Sequence, residues 1–192
     1  MKEEIILGVD PGTSITGFGI IRVISKKIEL IEMGTIHMSK SDDHADKLKK
    51  IFESILSIVE KHHPDYLAIE APFYGKNVQS MLKLGRAQGV AIAAALYRSI
   101  PIFEYSPKKI KQAITGNGNA SKEQVSAMLQ SLLKFEGHPE YLDATDGLAA
   151  AVCHYIQNSK PVLSNNKPTK TTKKKSGGWS AYLSENPDKI IK

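Results

Sequence analysis

The sequence predicts an α/β fold: a mixed sheet, three antiparallel strands followed by parallel strands, flanked by helices. Three β-rich runs stand together near the N-terminus with turn-length gaps, the pattern of an antiparallel meander. After them strand and helix patterns alternate, which adds parallel strands to the sheet. The 192 residues, 41% apolar and 24% charged, suffice for one domain of about 150 residues with a real core and leave a remainder.

Residues 5–9 are a short apolar run, broken by Asp10-Pro11-Gly12-Thr13-Ser14. Residues 17–24 form the second β-rich run, and Lys26-Lys27 marks the turn into the third, 28–36. Over 42–63 the period changes: Leu48, Ile51, Phe52, Ile55, Ile58 and Val59 recur at three- and four-residue spacing, which predicts a helix. Pro64 stops it, and 66–70 is a buried-type strand. Residues 77–98 read as a helix, 102–105 as a strand and 107–115 as a short helix. After the Gly116-Asn117-Gly118-Asn119 loop, 121–133 is a helix with Ser121 as its cap, and 143–157 is the last. Near Asn158 the pattern ends. From 161 to 178 the chain is, apart from Val162 and Leu163, only Asn, Lys, Thr, Pro, Ser and Gly, a composition that buries no core. The expectation is a domain over 1–158 and a basic, disordered tail over 159–192.

Cys153 is the only cysteine, which excludes an internal disulfide and a cysteine-based zinc site. The N-terminus carries acids where a signal peptide needs bases. The longest apolar stretch, 90–97, falls far below the roughly 20 residues of a bilayer span. A reduced, cytoplasmic protein with no membrane partner is expected.

The informative residues are acids in apolar company. Asp10 ends a strand of Ile, Leu and Val, and Glu70 ends another. Asp143 and Asp146, three apart, share one face of the last helix among Leu142, Leu148, Ala149, Val152 and Tyr155. An unpaired buried carboxylate is costly, so such acids are paired, capped or bound to metal. Each has a plain structural alternative: Asp10 before Pro-Gly as a turn former, Glu70 as a lone strand-end charge, Asp143-Ala-Thr-Asp146 as a capping box. Taken jointly, carboxylates at two strand ends and on an overlying helix converge in one crevice. Divalent cations would neutralise them, and all-oxygen ligands suit Mg²⁺ or Mn²⁺. Two such ions about 4 Å apart activate water and stabilise the leaving oxygen in phosphodiester cleavage.

Asp10-Pro-Gly12-Thr13 with Gly17 also resembles the first phosphate loop of the actin, sugar-kinase and Hsp70 ATPases. Those close two such domains on ATP, and 158 residues are too few. A wider set of motifs points elsewhere. Gly8-Val-Asp-Pro-Gly-Thr13 with Thr16-Gly-Phe-Gly19, Pro64-Asp-Tyr-Leu-Ala-Ile-Glu70, Lys83-Leu-Gly-Arg86, Phe103-Glu-Tyr105, Lys111-Gln112 and Asp143-Ala-Thr-Asp146-Gly-Leu-Ala149 closely resemble, in order, the RuvC family of Holliday-junction resolvases. The resemblance implies a ribonuclease-H-like fold acting as a homodimer on four-way junction DNA in recombination and repair, with RuvA and RuvB as branch-migration partners. It implies symmetric nicks in two strands of like polarity, leaving 5′-phosphate and 3′-hydroxyl ends. The catalytic acids would fall on Asp10, Glu70, Asp143 and Asp146, holding two Mg²⁺ ions, with Mn²⁺ as a substitute; Asp10, central on the first strand, is expected to bridge them.

The formal net charge of +6 hides a polarity. Residues 159–192 hold eight lysines against Glu185 and Asp188, which accounts for all of it, so 1–158 sum to zero. Within that zero, segment 76–122 holds eight bases against Glu104, a net of +7, and the segments on either side are acidic. A basic block directly after Glu70 is what phosphate binding needs; the alternative is a solvated helix face. The DNA-binding candidates are Lys76, Lys83, Arg86, Lys108, Lys111 and Lys122. By resemblance Lys111 and Lys122 hold DNA near the scissile phosphate, with Lys122 assisting catalysis electrostatically. The resemblance also places an aromatic at Phe73 to stack on bases at the branch point, with Tyr74 beside it. The Gly116–Asn119 loop could offer N–H groups to phosphate or be an ordinary turn. Gly85, Gly89 and Ala93, with Met81 in line, form a small-residue stripe suited either to a dimer interface or to packing on the chain's own sheet. Of the histidines, His138 precedes Asp143 and could approach the site, whereas His154 lies too far from Asp146.

Two other functions fit less of the sequence: a junction-binding module without cleavage, and a ribonuclease-H-fold nuclease acting on RNA or other branched DNA. Four acids beside phosphate would only weaken a pure binder.

Overall fold

The structure, a computed structural model, describes residues 3–72, 77–135 and 142–159. The predicted tail thus lies, apart from Ser159, outside the described residues. The elements are β1 (Glu3–Asp10), β2 (Ile15–Ile24), β3 (Lys27–His37), α1 (His44–His62), β4 (Tyr66–Glu70), α2 (Val78–Leu96), β5 (Ile102–Tyr105), α3 (Pro107–Thr115), α4 (Lys122–Leu133) and α5 (Leu142–Ser159). Every predicted element is present. The sheet order is β3-β2-β1-β4-β5. The first three strands pair antiparallel, and β4 and β5 add parallel to β1.

The meander turns one residue earlier than the lysine pair suggests. Lys27 already pairs with Ile24, so the turn residues are Ser25 and Lys26, at φ 50° and 66°. Two successive left-handed residues give the hairpin twist that matches right-handed strands. Further along, α1 is capped by Asp43, whose side chain accepts from the Asp46 N–H. Ser106 caps α3 with Pro107 in its first turn. Ser121 and Gln124 form a reciprocal capping box on α4, as the sequence suggests.

Strand alternation sends side chains to two cores. Leu7, Val9, Phe18, Ile20, Leu67 and Ile69 face α1 and α2, and pack on Ile51, Ile55, Val59, Ala91 and Ala94. Ile6, Ile21 and Ala68 face α3, α4 and α5, and pack on Ile110, Val125, Leu129, Leu148 and Val152. Helix α5 runs between the sheet and the other two helices of its layer. Its residues 147–154 are all buried.

What brings α5 close is a set of glycines on the strand positions beneath it. A Cβ on Gly19 would stand 2.5 Å from Leu148 Cα, and one on Gly147 would stand 2.6 Å from Gly17 and Phe18 backbone atoms. Gly8 and Gly17 would collide with the backbone of α5 in the same way, at Gly147 and Asp143. Alanine is ordinarily better than glycine in a helix interior by about 1 kcal/mol. Gly147→Ala is expected to reverse that sign, lowering unfolding stability by roughly 1–3 kcal/mol through overpacking. The urea midpoint checks it, and a gain in stability would contradict the close approach.

Candidate active site

Asp10 and Glu70 are the last residues of β1 and β4. These strands are parallel neighbours with Val9 opposite Ile69, so the two acids stand side by side one step further on. Since Val9 and Ile69 face α1 and α2, alternation turns both acids toward α5. Helix α5 begins at Leu142 and brings Asp143 and Asp146 over the same edge. Asp143 therefore lies inside the first helical turn rather than at a cap, and the capping-box alternative fails. The turn after Asp10 is held by Thr16, which is fully buried; its hydroxyl accepts from Gly12 N–H (3.2 Å) and donates to Gly12 O (3.1 Å).

Asp10, Glu70 and Asp146 line a crevice of about 460 Å³ together with Lys108, Lys111, Gly118, Asn119 and Lys122. Asp146 is the enclosed member of the helical pair, with its side chain 14% exposed against 45% for Asp143. Lys122, the first residue of α4, donates to Asp146 Oδ2, and its Nζ lies 3.7 Å from Asp143 Oδ1. A second cavity of about 270 Å³ opens on the α2 side, lined by Asp10, Pro11, Gly12, Glu70, Ala71, Pro72, Leu84 and Gln88. Asp10 and Glu70 thus form the wall between two clefts. The buried Gln88 amide is fixed by donating to Glu104 (2.7 Å), a contact with no signal in the sequence pattern.

The electrostatics are those of crowded anions. Burial, then the charge of Asp146, pushes the Asp10 carboxyl up to about 7 against the pull of Lys122. Burial, then Asp10 and Asp146, pushes Glu70 up to about 8. Asp146 is raised by burial although Lys122 works the other way. Burial favours the neutral form of Lys122, but its bond to Asp146 and the charges of Asp146, Asp10 and Asp143 outweigh that and raise its pKa.

Four carboxylates supply the all-oxygen donor set that Mg²⁺ or Mn²⁺ takes. Mutual repulsion among such a set is what divalent cations would relieve. Among the described residues no three His, Cys, Asp or Glu side chains are already drawn together around an ion position. The chemistry of the donors fits, and Lys122 stands among them.

The basic candidates divide between the two sheet faces. Lys108, Lys111 and Lys122 line the acid crevice. Lys83 and Arg86 lie exposed on α2, on the opposite face. Arg98, counted in the basic block, is ion-paired with Glu60 beyond the C-terminal end of α2 and contributes little free charge. Lys109 instead covers the Tyr105 ring, 5.0 Å from its centroid. The Gly116–Asn119 loop is an ordinary turn rather than a phosphate cradle, because its N–H groups are spent internally. Gly116 N–H donates to Gln112 O, Asn117 N–H to Thr115 Oγ1, Gly118 N–H to Gln112 Oε1 and Asn119 N–H to Asn117 Oδ1. Phe73, Tyr74, Lys76 and His138 lie outside the described residues. His154 is buried, held by Tyr105 OH (2.7 Å) and Asn158 (2.9 Å), and burial lowers its pKa to about 4. Among the described residues no helix is long and apolar enough to cross a membrane.

The pattern of the crossover junction endodeoxyribonuclease RuvC family matches residues 6–154. The chain is 57% identical over 188 residues to the crossover junction endodeoxyribonuclease RuvC of Cytophaga hutchinsonii, covering 98% of this chain and 88% of that protein. It is 56% identical to the protein of the same name from Bacteroides fragilis, covering 99% and 97%. Among solved structures it resembles Thermus thermophilus RuvC in complex with Holliday junction substrate, with TM-score 0.75 and 26% identity over 81% of this chain and 94% of that one.

The raised acids set a pH dependence. A carboxyl whose pKa rises on folding binds more protons in the native state, so its contribution to stability is present at low pH and lost as pH rises through the folded value. His154 acts oppositely, but only below its ordinary value near 6.5. Metal-free protein should therefore lose stability between pH 6.5 and about 8, where Glu70 ionises. Glu70→Gln should flatten that slope in thermal melts recorded with EDTA; an unchanged slope would remove Glu70 from the cause.

Proposed function

The chain belongs to the RuvC family of crossover junction endodeoxyribonucleases and resolves four-way DNA junctions; on that premise we propose that Asp10, Glu70, Asp143 and Asp146 are its catalytic acids and hold two Mg²⁺ ions. The observation that carries the reading is the meeting of Asp10, Glu70 and Asp146 on one crevice whose other wall is basic. Mn²⁺, with similar oxygen preference, would substitute.

The ions, when bound, would supply activation of water and charge stabilisation at the departing 3′ oxygen. The chain's own groups do the rest. Asp10 and Glu70, fixed at the ends of adjacent strands, and Asp146, enclosed on α5, define a rigid anionic wall. Lys108, Lys111 and Lys122 line the same crevice and receive the phosphate to be cut, so the substrate meets charges of both signs. Lys83 and Arg86, on the other sheet face, suit a second stretch of backbone, so that DNA straddles the edge of the sheet. Phe73 and Lys76 follow Pro72, which lines the second cleft, and we assign them to the branch point and its phosphates.

Resolution needs two cuts, and a two-fold dimer supplies two sites. The outer face of α2 suits that interface. Val78, Leu82 and Leu96 are 63%, 52% and 55% exposed, and a Cβ on Gly85 or Gly89 would meet nothing within 4 Å. The small-residue stripe is therefore not used for packing on the chain's own sheet, which leaves close approach of a second helix. RuvA and RuvB are the partners that family membership suggests.

A synthetic mobile four-way junction, linear duplex and RNA, each incubated with Mg²⁺ or EDTA, test the activity. Paired nicks are expected on the junction with Mg²⁺ alone; cleavage of RNA or duplex instead would favour a nuclease of another specificity. Asp146→Asn should retain junction binding in gel shifts and lose more than about a hundredfold in nicking rate; residual full activity would remove it from the site. Leu82→Asp should shift the protein toward monomer in sedimentation, and an unaltered dimer would place the interface elsewhere.

A further inference from the structure

Lys122 contacts the acids that the proposed function gives to metal. It donates to Asp146 and stands 3.7 Å from Asp143. Its charge also lowers the carboxyl pKa values of Asp10 and Glu70. Lys111, the other lysine of the crevice with a comparable reach, acts on Glu70 and Asp146 through space and makes no ion pair among the described residues. One ammonium thus contacts two of the four carboxylates and acts through space on the other two, inside the crevice they line.

Three physical consequences follow. A carboxylate oxygen bonded to an ammonium is not free to coordinate a cation, and a positive charge among the acids repels one. Lysine is nevertheless easily moved: it is a compact charge on a flexible stem, and here its side chain is 53% exposed on the first residue of α4. The crevice it shares with Lys108 and Lys111 is where a DNA phosphate would enter, and a phosphate offers the ammonium another anion.

We propose that Lys122 is an internal counter-cation that keeps the acid cluster closed to divalent ions until DNA phosphate draws it away, coupling metal loading to junction binding. Lys122 is in this respect a positioning residue for the acids. The inference rests on the reading of Asp10, Glu70, Asp143 and Asp146 as the metal site. Its benefit is plain: without DNA the site is held by lysine, and the nuclease assembles only on its substrate. Linkage requires the reverse as well, so bound metal should strengthen junction binding by the same factor.

The test is Mn²⁺ binding to the full chain without DNA, followed by the paramagnetic resonance of free Mn²⁺. Lys122→Gln should bind Mn²⁺ about tenfold more tightly than the unmodified protein, within the usual range of coupling between sites. Lys122→Arg, which keeps the charge, should stay near the unmodified value. Lys134→Gln, an exposed lysine at the far end of α4, controls for net charge and should change affinity less than about twofold. A pre-nicked four-way junction, which offers phosphates without the bond to be cut, should tighten Mn²⁺ binding to the unmodified protein severalfold and to Lys122→Gln much less. Thermal melts confirm that each variant is folded. Equal or weaker Mn²⁺ binding by Lys122→Gln, or equal tightening by the junction in both proteins, overturns the counter-cation. Unchanged Mn²⁺ binding by Asp146→Asn would instead overturn the metal site on which it rests.

Discussion

The structure depends on one close approach, that of α5 to the strands beneath it. Gly8, Gly17 and Gly19 on the sheet and Gly147 on the helix remove the side chains that would hold the two layers apart. Only at that separation does the first turn of α5 reach the strand ends that carry Asp10 and Glu70. The far end of the helix is fixed differently: His154 is hydrogen-bonded to Tyr105 of β5 and packed on the Phe103 ring of the same strand, centroids 4.3 Å apart. Backbone contact at one end and a buried polar chain at the other leave α5 little freedom to slide. The acids it carries are held to the geometry of the sheet.

That rigidity has an electrostatic cost. Carboxylates at the edge of an apolar layer cannot relax away from one another, and burial raises them further, which is why Asp10 and Glu70 titrate near neutrality. Such crowding costs stability, which is the pattern of groups placed for chemistry rather than for packing. The two cores on either face of the sheet supply the stability that lets the chain keep four acids at one edge. Lysines on α3 and α4 set the opposing charge in the same crevice, with Lys122 in contact with Asp146.

The element order was fully legible, because hydrophobic period separates strands from helices and Pro64, Pro107 and the Gly116 loop punctuate them. Asp10, Glu70, Asp143 and Asp146 were legible as acids placed against the apolar pattern. The charge arithmetic was less informative than it looked. Arg98 belongs to the basic block by number but is spent on Glu60, and Lys109 lies over the Tyr105 ring instead of lining the acid crevice. Lys83 and Arg86 lie on a different face from Lys108, Lys111 and Lys122. A linear count of charge carries no sign of which cations are already paired.

By itself the sequence determined what local rules govern: the strands, the helices, their caps, and a set of acids too costly to be structural. The glycines beneath α5 were visible in it, but not their purpose, since a glycine's reason lies in what approaches it from elsewhere in the chain. Tertiary structure alone decided that Gly85 and Gly89 face outward, that the Gly116–Asn119 loop satisfies its own N–H groups, and that Lys122 reaches Asp146 from 24 residues away. These are through-space pairings. Periodicity along a chain fixes which way a side chain points within its own element, and only the packing of one element on another fixes what it meets.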